Sequence, residues 1–387
     1  MHEFLVERMR PFVSTIFAEM SALAVRTGAI NLGQGFPDTD GPQSLLDDAV
    51  AAIRGGANQY PPGIGVPQLR YAIAEHQRRF YGLEVDPDTE VLVTAGATEA
   101  IAAAILALSG PGDEVVTFEP YYDSYAASIA LAGATRRTVV LRKPDFSFDD
   151  DALRAAFGDR TRLVLLNSPH NPTGKVFTLA ELELVAELAR RHDAVVLTDE
   201  VYEHQTFDRE PHVPMATLQG MAERTITISS AGKTFSVTGW KIGWLHASRP
   251  LTAAVRAVKQ FLTYVNGAPF QPAVAAALGL GDEFYTSLAA GLQRKRDLLS
   301  AGLRETGFDV FTPKGTFFVV ADAAPLGYDD GFELCQRLPE LVGVAAVPVA
   351  VFHDDKAAAR SLVRFAFCKR DDVLAEAVDR LARLRNG

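Results

Sequence analysis

The stretch Arg224-Thr225-Ile226-Thr227-Ile228-Ser229-Ser230-Ala231-Gly232-Lys233-Thr234-Phe235 decides how this chain is read, together with Thr238-Gly239-Trp240-Lys241-Ile242-Gly243 just beyond it. The alternating apolar residues through Ile228 predict a buried strand, and the small residues after it predict a sharp exit. Lys233 is thus delivered by a strand end, next to hydroxyls and near a second cation, Lys241. A lysine so placed can form a Schiff base with a carbonyl group whose carrier also bears a phosphate. The segment is not a P-loop, because that motif needs Gly at position 227 and Thr227 stands there.

Working outward, the same β-then-helix rhythm recurs. Strands are predicted at 91–94, 114–118, 162–167, 194–198, 225–229 and 242–246, with helices at 99–108 and 179–191 between them. This alternation predicts an α/β fold with a mainly parallel sheet covered on both faces. In such sheets the site lies beyond the carboxyl ends of the strands. Asn167, Asp199 and Ser229 all fall at those ends. A long amphipathic pattern runs from about Phe270 to Thr306, and strands at 316–321, 344–348 and 362–366 with a helix at 371–384 read as a smaller α+β domain. No strand is followed by G-x-G-x-x-G, which disfavours dinucleotide binding.

Each candidate residue has a plain structural reading beside its chemical one. Ala97 and Thr98 open a helix after a strand, which makes either an anion site of free N–H groups or an ordinary turn. Asp199 is either a helix N-cap or a buried carboxylate facing a cationic ring nitrogen. Tyr202 reads as packing or as a phenol aimed at a ring oxygen. Asn171, in Asn167-Ser168-Pro169-His170-Asn171-Pro172-Thr173-Gly174, is a turn former or a donor to the same oxygen. His170 invites an acid–base role that Lys233 makes unnecessary. Arg364 interrupts the apolar run Leu362-Val363-Arg364-Phe365-Ala366; it either faces solvent or clamps a carboxylate with its two-pronged guanidinium.

Bulk properties narrow the class. The net charge is -10 with no long basic stretch, which argues against nucleic acid or anionic membranes as main partners. Two distant cysteines make neither a metal motif nor a disulfide framework. No metal site is expected. The first residues lack the pattern of a signal peptide, and apolar runs are broken well short of a membrane span, so a cytoplasmic location is expected.

Taken in order, these segments closely resemble the class I aminotransferases, which have the fold type I pyridoxal-phosphate architecture. The resemblance covers nearly the whole chain and rests most on Asn171-Pro172-Thr173-Gly174, Asp199-Glu200-Val201-Tyr202 and the Lys233 segment. It implies a large domain with a mostly parallel seven-stranded sheet at 44–270, a small C-terminal domain at 271–387, and an N-terminal segment, 1–43, that packs with the small domain. It implies pyridoxal 5'-phosphate as cofactor and Lys233 as Schiff-base former and proton shuttle. Asp199 would pair with the pyridine nitrogen, and Asn171 and Tyr202 with the ring oxygen. Ala97, Thr98, Ser230 and Lys241 would hold the phosphate, although many relatives have Arg where Lys241 stands. Tyr121 would stack on the ring. Arg364, Asn171 and the Gly35 backbone would bind the substrate α-carboxylate. Tyr60 would reach the phosphate of the neighbouring subunit, so a homodimer with shared sites is implied.

Within the family, Gln59-Tyr60-Pro61-Pro62-Gly63, Ser168-Pro169-His170-Asn171-Pro172-Thr173-Gly174 and Phe367-Cys368-Lys369-Arg370-Asp371 make the chain similar to N-succinyldiaminopimelate aminotransferases and to kynurenine/glutamine transaminases. The expected activity is a ping-pong transfer from an amino acid to a 2-oxo acid, with N-succinyl-LL-2,6-diaminopimelate and 2-oxoglutarate as leading pair. Kynurenine, glutamine or a β-lyase reaction on cysteine S-conjugates are the alternatives. A non-catalytic regulator on the same fold is disfavoured by Lys233.

Overall fold

The apolar runs after position 91 assemble into one sheet because both of its faces are covered. A computed structural model describes residues 4–386. Its strands are β1 (Ile30–Asn31), β2 (Val91–Ala95), β3 (Glu114–Glu119), β4 (Thr135–Val140), β5 (Thr161–Asn167), β6 (Val195–Asp199), β7 (Thr225–Ser230), β8 (Ile242–His246), β9 (Asp309–Phe311), β10 (Phe318–Asp322), β11 (Val344–Ala345), β12 (Val347–Pro348) and β13 (Leu362–Ala366). The large sheet has the order β2-β8-β7-β6-β5-β3-β4, and only β8 runs against its neighbours.

One face carries Val115, Leu163, Leu165, Leu197 and Ile226, packed on Ile101 and Ile105 of the helix Gly96–Leu108 and on Val255 of the helix Arg249–Lys259. The other carries Val116, Val164, Leu166 and Val196 against the helix Leu179–Arg191. That helix turns Leu182, Val185, Ala186 and Ala189 inward at the i, i+3, i+4, i+7 spacing. It starts at a capping box in which Thr178 and Glu181 satisfy each other's free backbone donors. Strand β4 lies at the edge and is polar on its open side, with Arg136 and Arg137 breaking the apolar pattern that marks the other strands.

The second sheet is antiparallel, in the order β12-β13-β10-β9. The N-terminal segment packs with the same domain: Ile30 of β1 pairs in parallel with Val344 of β11 in a separate two-stranded sheet, and the helix Ile16–Thr27 packs on the helix Gly331–Val342. The amphipathic stretch expected from Phe270 to Thr306 is two helices, Phe270–Leu278 and Asp282–Thr306, separated where Gly279 and Gly281 cap them. Ala273, Val274 and Ala277 are buried with Leu45, Leu69 and Trp244, so the first of the two helices packs with the large sheet's elements. The long second helix contributes Leu292, Leu299 and Leu303 to the core of the small domain. No helix among the described residues is long and apolar enough to cross a membrane.

Candidate active site

Parallel register brings the strand ends together. Asn167 of β5 pairs with Asp199 of β6, and Asp199 with Ile228 of β7, so the turns that follow converge on one cleft. Gly35, Ala97, Thr98, Tyr122, Tyr125, Asn171, Asp199, Tyr202, Ser230, Lys233, Thr238, Lys241, Phe318 and Arg364 all line it. The cleft therefore draws on both sheets and on the N-terminal segment.

Asp199 is buried at its floor. Its Oδ2 accepts the Tyr125 hydroxyl at 2.5 Å, and its Oδ1 accepts the Val201 N–H at 3.3 Å. Burial raises its pKa to about 6, and these two hydrogen bonds limit the rise. Asn167 braces the turn: its amide donates to the Asp199 carbonyl at 2.8 Å, and its Oδ1 accepts the Asn171 N–H at 2.7 Å.

Lys233 lies in the one-turn helix Ala231–Thr234 that follows β7. Its Nζ donates to the Gly35 carbonyl at 3.3 Å and sits over the rings of Phe317, at 5.4 Å, and Tyr202, at 5.8 Å. Burial lowers its pKa most, opposed by Cys368 and Asp199, while Arg364 and Lys241 lower it further. The amine is thereby eased toward its neutral, nucleophilic form.

The opposite end of the cleft is built for an anion. The helix Gly96–Leu108 points its first N–H groups there, and its 13 residues give it a full dipole. Lys241, held at φ 56°, approaches that terminus and has no ion-pair partner among the described residues. Gly96, at φ +73°, permits this approach: a Cβ there would stand 3.2 Å from the Lys241 Nζ. Gly243 serves the same closeness, since its Cβ would fall 2.4 Å from the Gly96 carbonyl carbon.

Arg364 is 1% exposed and has no carboxylate partner among the described residues. Its Nη1 donates to Asn171 Oδ1 at 2.9 Å, its Nη2 donates to the Gly33 carbonyl at 2.8 Å, and its Nε is buried without a partner. The guanidinium lies over Phe318 at 4.0 Å and near Phe17 at 5.1 Å. Burial lowers its pKa to about 10, which still leaves it charged at neutral pH. A buried cation held only by neutral groups is an incomplete site for a carboxylate.

One residue expected in this cleft stands elsewhere. Tyr121 does not line the cleft. Its N–H donates to the Phe352 carbonyl at 2.9 Å, its hydroxyl donates to Asp354 at 2.7 Å, and Arg136 covers its ring. These contacts turn it toward the small domain, and the adjacent Tyr122 lines the cleft in its place. Tyr60 is 82% exposed and packs edge-on against Tyr264, outside this chain's own cleft. His170 is paired with Thr173 and also lies outside it. Tyr125, Phe17 and Thr238 were not expected. The signal for Tyr125 was its place one helical turn after Tyr122.

Comparison with known proteins agrees with this geometry. The family model for aminotransferase class I and II matches residues 27–381. A probable N-succinyldiaminopimelate aminotransferase DapC of Mycobacterium tuberculosis is 57% identical, over 98% of both chains. The solved structure of N-succinyldiaminopimelate aminotransferase from Mycobacterium tuberculosis, at 57% identity, covers 98% of this chain and 100% of its own with a TM-score of 0.96. The methionine aminotransferase of Escherichia coli is 42% identical over 96% of both chains. A kynurenine–oxoglutarate transaminase of Dictyostelium discoideum is 36% identical, over 97% of this chain and 95% of its own.

Proposed function

Because the chain belongs to the class I and II aminotransferases, which depend on pyridoxal 5'-phosphate, we propose that it moves the amino group of N-succinyl-LL-2,6-diaminopimelate onto 2-oxoglutarate. The observation that carries an α-amino-acid substrate is Arg364, a buried guanidinium without a carboxylate partner, in the same cleft as Lys233. The 57% identity to the N-succinyldiaminopimelate enzyme supports this donor.

The cleft fits the cofactor. Free helix N–H groups at Ala97 and Thr98, the Ser230 hydroxyl and the unpaired Lys241 suit its phosphate. Asp199 suits the ring nitrogen, Tyr202 and Asn171 the ring oxygen, and Tyr122 a ring face. When bound, pyridoxal phosphate supplies the carbonyl that takes up the amino group and the electron sink that acidifies the substrate Cα–H.

The chain's own residues do the rest. Arg364 grips the α-carboxylate and, with Asn171, fixes which Cα bond faces Lys233. Lys233, whose burial favours the neutral amine, takes the Cα proton on Nζ and returns it from the same atom on the far side of the transfer. Asp199, kept as a carboxylate by Tyr125 and Val201, holds the opposing positive charge in place. Tyr60 of the partner subunit completes the phosphate site, so the working unit is a homodimer; its exposure on this chain supports that reading. Two buried free thiols, Cys335 and Cys368, support a reducing, cytoplasmic setting.

A second donor class has support of its own. Phe17, Gln34, Tyr122 and Phe318 line the cleft near Arg364, and this aromatic, neutral wall suits methionine or kynurenine. A panel of donors with 2-oxoglutarate, read as glutamate formed, separates the two. N-succinyl-diaminopimelate is expected to show the highest kcat/KM. A higher value for methionine, kynurenine or glutamine would overturn the proposed donor. Release of pyruvate from a cysteine S-conjugate with no oxo acid present would reveal β-elimination instead.

A further inference from the structure

Outside the cleft, the helix Pro67–Tyr81 meets the turn after β6 in a buried cluster of histidines and a carboxylate. The Nε2 atoms of His76 and His204 lie 2.7 Å apart, with their rings perpendicular. A Glu203 carboxylate oxygen lies within 4.8 Å of both. His76 is 2% exposed and Glu203 5%, while His204 keeps partial access to solvent. The mechanism uses none of the three.

The geometry points to a binding site here for one divalent transition-metal ion of the zinc type, held by His76 Nε2, His204 Nε2 and a Glu203 oxygen. Two imidazoles and a carboxylate are a zinc-type donor set, and the solvent side at His204 leaves a fourth position for water. Magnesium and calcium prefer oxygen-only shells. Tetrahedral ligands at zinc distances stand about 3.3 Å apart, so the two rings need to part by roughly half an ångström.

The surroundings orient these ligands. Glu203 accepts the Tyr81 hydroxyl at 2.8 Å and the Ser229 hydroxyl at 2.6 Å, which fixes its carboxylate. Gln77 places its Nε2 3.3 Å from His76 Nδ1, and its Oε1 is buried without a partner. Turning that amide over presents Oε1 to an Nδ1–H, the tautomer that frees Nε2 for a metal. Arg79, beside the cluster, is ion-paired with Asp282 and lies over Phe80.

The test uses the cofactor-loaded enzyme. After equilibrium dialysis against zinc or magnesium and gel filtration, metal analysis is expected to find about one zinc per chain and no magnesium. His204→Ala and Glu203→Gln, each checked for native circular dichroism, should lose the retained zinc, whereas His192→Ala should keep it. Cobalt titration of the unmodified enzyme should give the visible bands of a four-coordinate histidine site, without recourse to a variant. Failure of the wild type to retain zinc or to show those bands overturns the site. So does zinc retention by folded His204→Ala equal to that of the wild type.

Discussion

The Tyr125 hydroxyl donates to Asp199 Oδ2 at 2.5 Å, at the bottom of a cleft where burial would otherwise neutralise that carboxylate. Its folded-state pKa, about 6, lies above the ~3.9 of an unfolded aspartate. The folded, cofactor-free protein therefore binds the extra proton, and the stability this gives at low pH is lost as pH rises through 6. Asp199→Asn should then gain on the order of 2–3 kcal/mol over wild type near pH 8, and little near pH 4. Denaturant melts of the cofactor-free proteins at both pH values check this. A difference independent of pH would contradict the assigned burial. The same variant should lose most turnover in the proton-transfer step.

Arg364→Lys replaces a planar fork with a point charge. Its kcat/KM should fall by about 30-fold, or about 2 kcal/mol, for both amino and oxo acids. Amines without an α-carboxylate should change far less. Equal losses for both classes would make Arg364 a structural residue.

Lys241→Met should leave the fold intact and weaken cofactor retention by roughly tenfold or more, because one charged phosphate contact is lost. The dissociation constant measured by fluorescence during dialysis, with and without added inorganic phosphate, reads this directly. Unchanged retention would place Lys241 outside the phosphate site.

Tyr60 tests the dimer. Mixing Lys233→Ala chains with Tyr60→Ala chains under exchange conditions makes heterodimers in which one site carries both lesions and the other neither. Activity should rise above both parents. No recovery in proven heterodimers would place Tyr60 outside the neighbouring site.

The sheet was legible because β3, β5, β6 and β7 are almost wholly buried and so carry apolar patterns, continuous through Leu163–Leu166 in β5 and alternating with threonine in β7. Strand β4 was not, because at the sheet edge it carries Arg136 and Arg137, paired with Asp354 and Glu114, in place of an apolar run. The site was legible where a residue type is costly without a purpose, as with Arg364 inside β13 and Asp199 at the end of β6. The choice between Tyr121 and Tyr122 was not, since adjacent residues after a strand turn to opposite sides and only the contacts with Asp354 and Phe352 decide which. His76 and His204 are 128 positions apart, and only the folded chain sets them face to face.

The central claim is that Lys233 is the residue that bonds the cofactor. It is tested most directly by loading the protein with pyridoxal phosphate, reducing it with borohydride and sequencing its peptides by mass spectrometry. The phosphopyridoxyl group should be found on Lys233 alone, and Lys233→Ala should carry none on any lysine. A label on another lysine, or an unlabelled Lys233 in fully loaded protein, would contradict the account.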